Sequence, residues 1–254
     1  MTRSAPAIGW NRTVKLAWLD LVADLAAAGK AEDEITATLR DLLREQLSVG
    51  SEAKRGSREK TITLLIKTWV RVPKRLTRFR DRGLQLIRSS DQSRRLALHW
   101  GMVISAYPFF GAVAEQTGRL LKLHDRGTAA QVQRRIKEAF GQRETAARSA
   151  RYVLRAFVDW GVMIEQGRTG IYTAATSIAV DDDATIAWLI EAILHQTPEG
   201  KMPAPAAFES RQIFPFALRR VSADLLSHHA DIEVIRHGMG DELLVLKHAP
   251  FVTN

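Results

Sequence analysis

Arg148, Arg151 and Arg155 stand at i, i+3 and i+7 in "TAARSARYVLRAFVDWG", with Tyr152 beside them. On a helix these positions share one stripe, while Ala150, Val153, Leu154, Phe157 and Trp160 form a separate apolar one. One face packs and the other presents guanidinium groups. A guanidinium can fork onto guanine O6 and N7 or pair with a phosphate, so the chemistry on offer is recognition of a polyanion. Arg143, in the turn before the helix, favours the phosphate backbone. Past Gly161 the sequence reads as two short strands, 162–165 and 171–174, around a tip of Gly167, Arg168, Thr169 and Gly170. Glycines there let backbone approach a phosphate or a minor groove closely.

A second basic set, Lys67, Arg71, Lys74, Arg75 and Arg78, lines the polar side of a helix pair broken at Pro73. Such a face follows phosphates without reading bases. It serves equally as a solvated face. Both sets sit in charge-dense stretches. Residues 54–82 carry eleven lysines and arginines against Glu59 and Asp81, and residues 119–155 carry ten against three acids. The whole chain of 254 residues has a formal net charge of +9. The first block alone matches that excess and the second adds to it, so the chain outside the two blocks is acidic on balance. Two basic blocks on a compensating background point to a polyanionic partner.

Other chemistry finds little support. The sequence has no phosphate-binding loop, G-x-G-x-x-G, H-E-x-x-H or nucleophile elbow. It has no cysteine, which excludes disulfides and thiolate ligands. His228 and His229 are adjacent and point apart on a helix. An approach of His237 and His248 across the last hairpin is open to the sequence, but both read as surface or packing residues. His99, beside Trp100 in an apolar helix, reads as a satisfied core histidine. Asp181, Asp182 and Asp183 read as N-terminal capping for the next helix rather than as metal ligands. The expectation is therefore no catalytic residue, no metal and no cofactor. The longest apolar runs are too short or too broken to span a bilayer, which takes about 20 residues. With no apolar leader at the N-terminus, a soluble cytoplasmic protein without membrane insertion is expected.

The elements that must position these groups follow from periodicity. Helices are predicted over 11–28, 30–47, 59–71 and 74–88, then to about Tyr107, with Pro108 in the first turn of the next. Residues 89–123 are the most hydrophobic stretch and the candidate central core. Thr128 caps a helix that Gly141 closes, and a tight connection leads to the arginine helix, 146–160. A helix over 184–196, a proline-rich connection, a helix from about 215 to 228 and a hairpin ending at His248 complete the chain. The fold class expected is mainly α, in three domains. A helical N-terminal domain covers 1–126 and a winged helix-turn-helix covers 127–178. A C-terminal helix-plus-β-hairpin domain covers 179–254. The last repeats the helix-then-hairpin order and is a candidate second winged unit.

Three stretches carry a family resemblance. They are "EDEITATLRDLLREQLSVGSEAKRGSREKTITLLIKTWV", "RLALHWGMVISAYPFFGAVAEQTGRLL" and the helix-turn-helix with "VDWGVMIE". With Trp100, the Tyr107-Pro108-Phe109 corner and the Trp160-Gly161 helix end, residues 15–175 resemble the BrxA family of bacteriophage-exclusion (BREX) defence systems. The resemblance implies a small, non-enzymatic, mainly helical defence component. It also implies a likeness to the helical antitermination factor NusB, and DNA binding. No catalytic residue carries over.

The function expected is binding of double-stranded DNA through phosphate contacts, as an accessory of phage defence. Two rivals stand beside it. One is an RNA-binding, antitermination-like factor that uses the basic N-terminal helices. The other is a scaffold for other defence-system proteins.

Overall fold

The computed structural model describes residues 7–47, 56–167, 170–219, 221–237 and 241–248. The first half is helical: α1 (Leu16–Ala27), α2 (Glu32–Gln46), α3 (Ser57–Trp69), α4 (Thr77–Arg88), α5 (Gln92–Ala106) and α6 (Pro108–His124). The expected first helix starts later than residue 11. Residues 8–14 instead run without helix, because Trp10 and Val14 are drawn fully into the core. Trp10 meets Tyr107, Phe110 and Trp160 edge-on, with ring centroids 5.3, 4.9 and 6.4 Å away. Geometry of this kind adds to what area burial alone supplies.

α5 and α6 bend by 117° at the Tyr107–Pro108 corner. Pro108 occupies the first turn of α6, where its missing N–H costs nothing. Tyr107 closes the corner by donating its hydroxyl to Leu64 O at 2.9 Å. Among the described residues, no single helix is long and apolar enough to cross a membrane.

Short elements follow: β1 (Arg126–Thr128), α7 (Ala129–Phe140), α8 (Glu144–Asp159), β2 (Met163–Glu165) and β3 (Ile171–Ala174). The three strands form one antiparallel sheet in the order β1-β3-β2. Next come β4 (Ile178–Val180), α9 (Asp183–Leu194), β5 (Lys201–Pro203) and α10 (Ala204–Phe208). The chain ends with β6 (Phe216–Leu218), β7 (Ile232–His237) and β8 (Asp241–Leu246). The last sheet is antiparallel in the order β5-β8-β7. Both sheets share a plan, in which the strand before the helices pairs with the second strand of a later hairpin.

The helix expected over 215–228 is not formed. Residues 216–218 are β6, paired in parallel with β4, and 223–226 make a 3-10 turn. Pro215 would suit the first turn of a helix, but its carbonyl instead accepts from Ile178 N–H at 2.8 Å, opening the ladder to β4. The proline-rich connection also carries structure, since β5 and α10 lie within it.

One contiguous hydrophobic cluster draws on the N-terminal helices, on α7 and α8, and on the C-terminal elements. Its centre is α9, buried at every position from Thr185 to Leu194. Trp188 stacks on Phe79, with centroids 3.7 Å apart, and lies parallel to Trp69. It enters between Gly83 of α4 and Gly101 of α5, where an added Cβ would overlap the indole. Those two glycines let three helices meet around one large side chain.

Candidate nucleic-acid interface

The α7–α8 pair is fixed from its first residue. Thr128 Oγ1 accepts from Gln131 N–H at 3.1 Å, and Gln131 Oε1 accepts from Thr128 N–H at 2.8 Å. This reciprocal cap starts α7 as the sequence predicts. Gly141, at φ 89°, ends it. Lys137 and Glu144 then bridge the two helices at 2.8 Å. α8 buries Ala146, Ala147, Ala150, Val153, Leu154, Ala156 and Phe157, and leaves Arg148, Arg151 and Arg155 exposed.

Arg148 and Arg151 make no hydrogen bond or salt bridge within the described residues. Arg155 lies 3.9 Å from Asp159, at the outer limit of an ion pair. Arg151 and Arg155 also face the hairpin. Burial and the Glu165 carboxylate push the Tyr172 phenol above its usual range, and Arg155 and Arg151 oppose that rise. Gly167 and Gly170 flank the hairpin tip in the left-handed region, where glycine is favoured. Arg168 and Thr169, the expected tip contacts, lie outside the described residues. Arg143 turns back to donate to Phe140 O at 2.9 Å, so it closes α7 instead of standing free for a phosphate.

The second basic set divides. Lys67 and Lys74 are exposed and make no salt bridge among the described residues. Arg71 is held by Glu32. Arg75 donates to Ser105 O at 3.3 Å and His195 O at 3.4 Å, meeting carbonyls at the C-terminal ends of α5 and α9. Arg78 lies 3.6 Å from Asp231. Arg82, four residues on, bridges the buried Glu191 and Asp231. From Arg75 onward the basic helix pair therefore ties the N-terminal helices to the C-terminal segment. A polar stripe in a sequence cannot show this, because the C-terminal partners His195, Glu191 and Asp231 lie more than 100 residues away.

Part of the first block does reach α8. Lys60, Arg12, Asn11, Thr145, Arg148, Ser149 and Tyr152 line one cleft with Ile8 and Gly9. Lys67 and Arg71 line a neighbouring hollow that shares Ile8 and Gly9. A basic strip thus runs from α3 across residues 8–12 to α8. Trp10 and Val14 anchor the connecting segment, and Trp160 Nε1 donates to Val14 O at 2.8 Å. Arg12 stands over the Tyr152 ring, 6.0 Å from its centroid. Lys60 counted toward the charge of its block but was not singled out, and Arg12 was assigned to a helix. The available signal was Trp10, a large aromatic residue two positions before an arginine, outside any periodic stripe.

His99 is fully buried in a relay. Trp69 Nε1 donates to its Nδ1 at 3.0 Å, so Nε2 carries the proton and faces Asp20 Oδ1, also at 3.0 Å. Burial pushes the His99 pKa below its usual value despite Asp20. Burial alone would raise Asp20, but the bonds and charges of His99 and Arg95 hold it below the usual carboxylate range. The imidazole is neutral and fully engaged, as expected of a core histidine. Asp182 caps α9 by accepting from Thr185 N–H at 2.9 Å, and it pairs with Arg94 at 2.8 Å. His229 Nε2 is 3.7 Å from Glu191 and His248 Nε2 is 3.8 Å from Asp231. The side chain of His237 lies outside the described residues. Among the described residues, no three His, Asp or Glu side chains are placed to hold a metal ion. Comparison of the chain with protein-family models, curated proteins and solved structures finds no match.

Proposed function

We propose that residues 127–178, with β1 as the strand preceding its two helices, form a winged helix-turn-helix. In this reading the protein is a non-enzymatic factor that binds double-stranded DNA mainly through phosphates. The order strand, helix, turn, helix, hairpin supports the first part, as does the β1-β3-β2 sheet. One observation carries the second. Most of the described arginines are bound to carboxylates or carbonyls, yet Arg148 and Arg151 stand exposed with no partner among the described residues. They lie at the end of a strip that also holds Lys60 and Lys67. Phosphate contacts position a duplex without reading its sequence. The resemblance to the BrxA family would make such a factor an accessory of phage defence, working beside other defence-system proteins.

The test is a duplex titration with Arg148, Arg151 and Arg155 replaced by alanine. Binding should weaken while the melting curve stays intact, because all three lie off the buried stripe. Unchanged affinity would remove α8 from the interface. Lys60 and Lys67 belong to α3, outside the winged unit, and favour a second reading in which structured RNA is the ligand. Competition between duplex DNA and a structured RNA separates the two.

A further inference from the structure

The cleft between residues 8–12 and the first half of α8 has a chemistry that duplex binding does not require. It measures about 430 Å³, within the range of roughly 300–1,000 Å³ of small-molecule sites. A duplex rides over a surface and cannot enter a hollow of this size. Three cations line it, Arg12, Lys60 and Arg148, and no carboxylate among the described residues does. Asn11, Thr145 and Ser149 add an amide and two hydroxyls, so the wall is rich in donors.

Several arginines elsewhere in the protein are neutralised by carboxylates. Arg40 pairs with Glu59, Arg94 with Asp182, Arg95 with Asp20 and Asp24, and Arg236 with Asp224 and Glu242. Arg12, Lys60 and Arg148 have no ion pair among the described residues. Arg12 Nε is moreover shut off from solvent without a hydrogen-bond acceptor. A buried donor left unmet is costly, and a turn of Arg12 toward an anion in the cleft would satisfy it.

We propose that this cleft binds a small diphosphate-bearing ligand of nucleotide size. A single phosphate ester carries about −1.5 to −2 charges at neutral pH, so three cations match more than one phosphate. Arg12, Lys60 and Arg148 take the phosphates, and Asn11, Thr145 and Ser149 supply further donors. The Tyr152 ring gives a base or sugar an apolar wall. Gly9, at φ +60°, turns the N-terminal segment against Tyr107 and so sets one rim. Because Arg148 also belongs to the proposed duplex surface, an occupied cleft competes with DNA. Binding of the small ligand does not rest on the duplex reading; only the competition does.

Isothermal titration of the full chain with inorganic pyrophosphate and with ADP, at constant ionic strength, tests the site. Saturable binding of either is expected. ADP binding more tightly than pyrophosphate identifies a nucleotide, and equal binding identifies any diphosphate, both in support. Lys60→Gln, at an exposed position, and Arg12→Gln should each weaken binding about tenfold or more, the loss of one charge-assisted bond. Lys60→Gln keeps the test sound if Arg12→Gln fails to fold. No saturable binding of either probe at millimolar concentration overturns the proposal. So does a Lys60→Gln protein that binds both probes as the native chain does. Duplex titrated separately keeps the two readings apart. DNA binding without diphosphate binding sinks only the cleft, and the reverse sinks only the duplex.

Discussion

His99 shows how a single residue sets the acid limit of this fold. Its pKa is depressed by burial, so the unfolded chain takes up a proton first as the pH falls below about 6.5. Stability is then lost on the acid side of that value. Asp20, held below its usual range, adds a further loss only below about pH 4. Melting temperatures from pH 7.5 to 5.5 should fall less steeply for His99→Gln than for the native chain. His229 contributes to both proteins and cancels in the difference; parallel curves would deny the role of His99. Gly101 makes the second residue-scale prediction. Replacement by alanine should lower the melting temperature, because overpacking costs about 1–3 kcal/mol against about 1 kcal/mol gained in helix propensity. Adding Trp188→Leu should remove most of that effect of the added methyl, and an equally large effect in both backgrounds would exclude the contact. The burial of His99 was legible from its apolar neighbours. The glycines were not, since a gap for Trp188 is visible only once three helices are assembled.

At the scale of elements, legibility followed sequence distance. α7 and α8, with the hairpin after them, were readable because cap, turn glycine and apolar stripe lie within a few residues of one another. β4 and β6 pair across 38 residues, from Ile178 to Phe216, so neither carried its own signal. α9 was found as a helix, but its centrality was not. A helix buried all round has no polar face, so spacing over 184–196 marks a helix but not the centre of the core. Trp188, its largest side chain, was missed. The α4–α9 contact is held by Arg82, which bridges Glu191 and Asp231. Glu191 is 2% exposed, so removing its cation leaves a buried charge uncompensated. Arg82→Ala should therefore cost about 3 kcal/mol in urea unfolding. A loss near zero would show that the bridge is a surface pair.

Across the whole molecule, charge is sorted by use. Arg75, Arg78 and Arg82 hold the N-terminal helices to the C-terminal segment, while Lys60, Lys67, Arg12, Arg148 and Arg151 form a strip with no ion pair among the described residues. Composition revealed the two basic blocks, but not that Lys60 reaches the cleft against α8 while Arg75, Arg78 and Arg82 turn to the C-terminal segment. The measurement that tests the central proposal most directly is duplex affinity against salt concentration. Five or six phosphate contacts predict a slope of log affinity on log salt near −5, about a thousandfold loss from 50 to 200 mM. Lys60→Gln with Lys67→Gln should flatten the slope by about 1.8, whereas Arg78→Gln should leave it unchanged. A native slope near zero, or one flattened by Arg78→Gln but not by the lysine pair, would contradict the proposed surface.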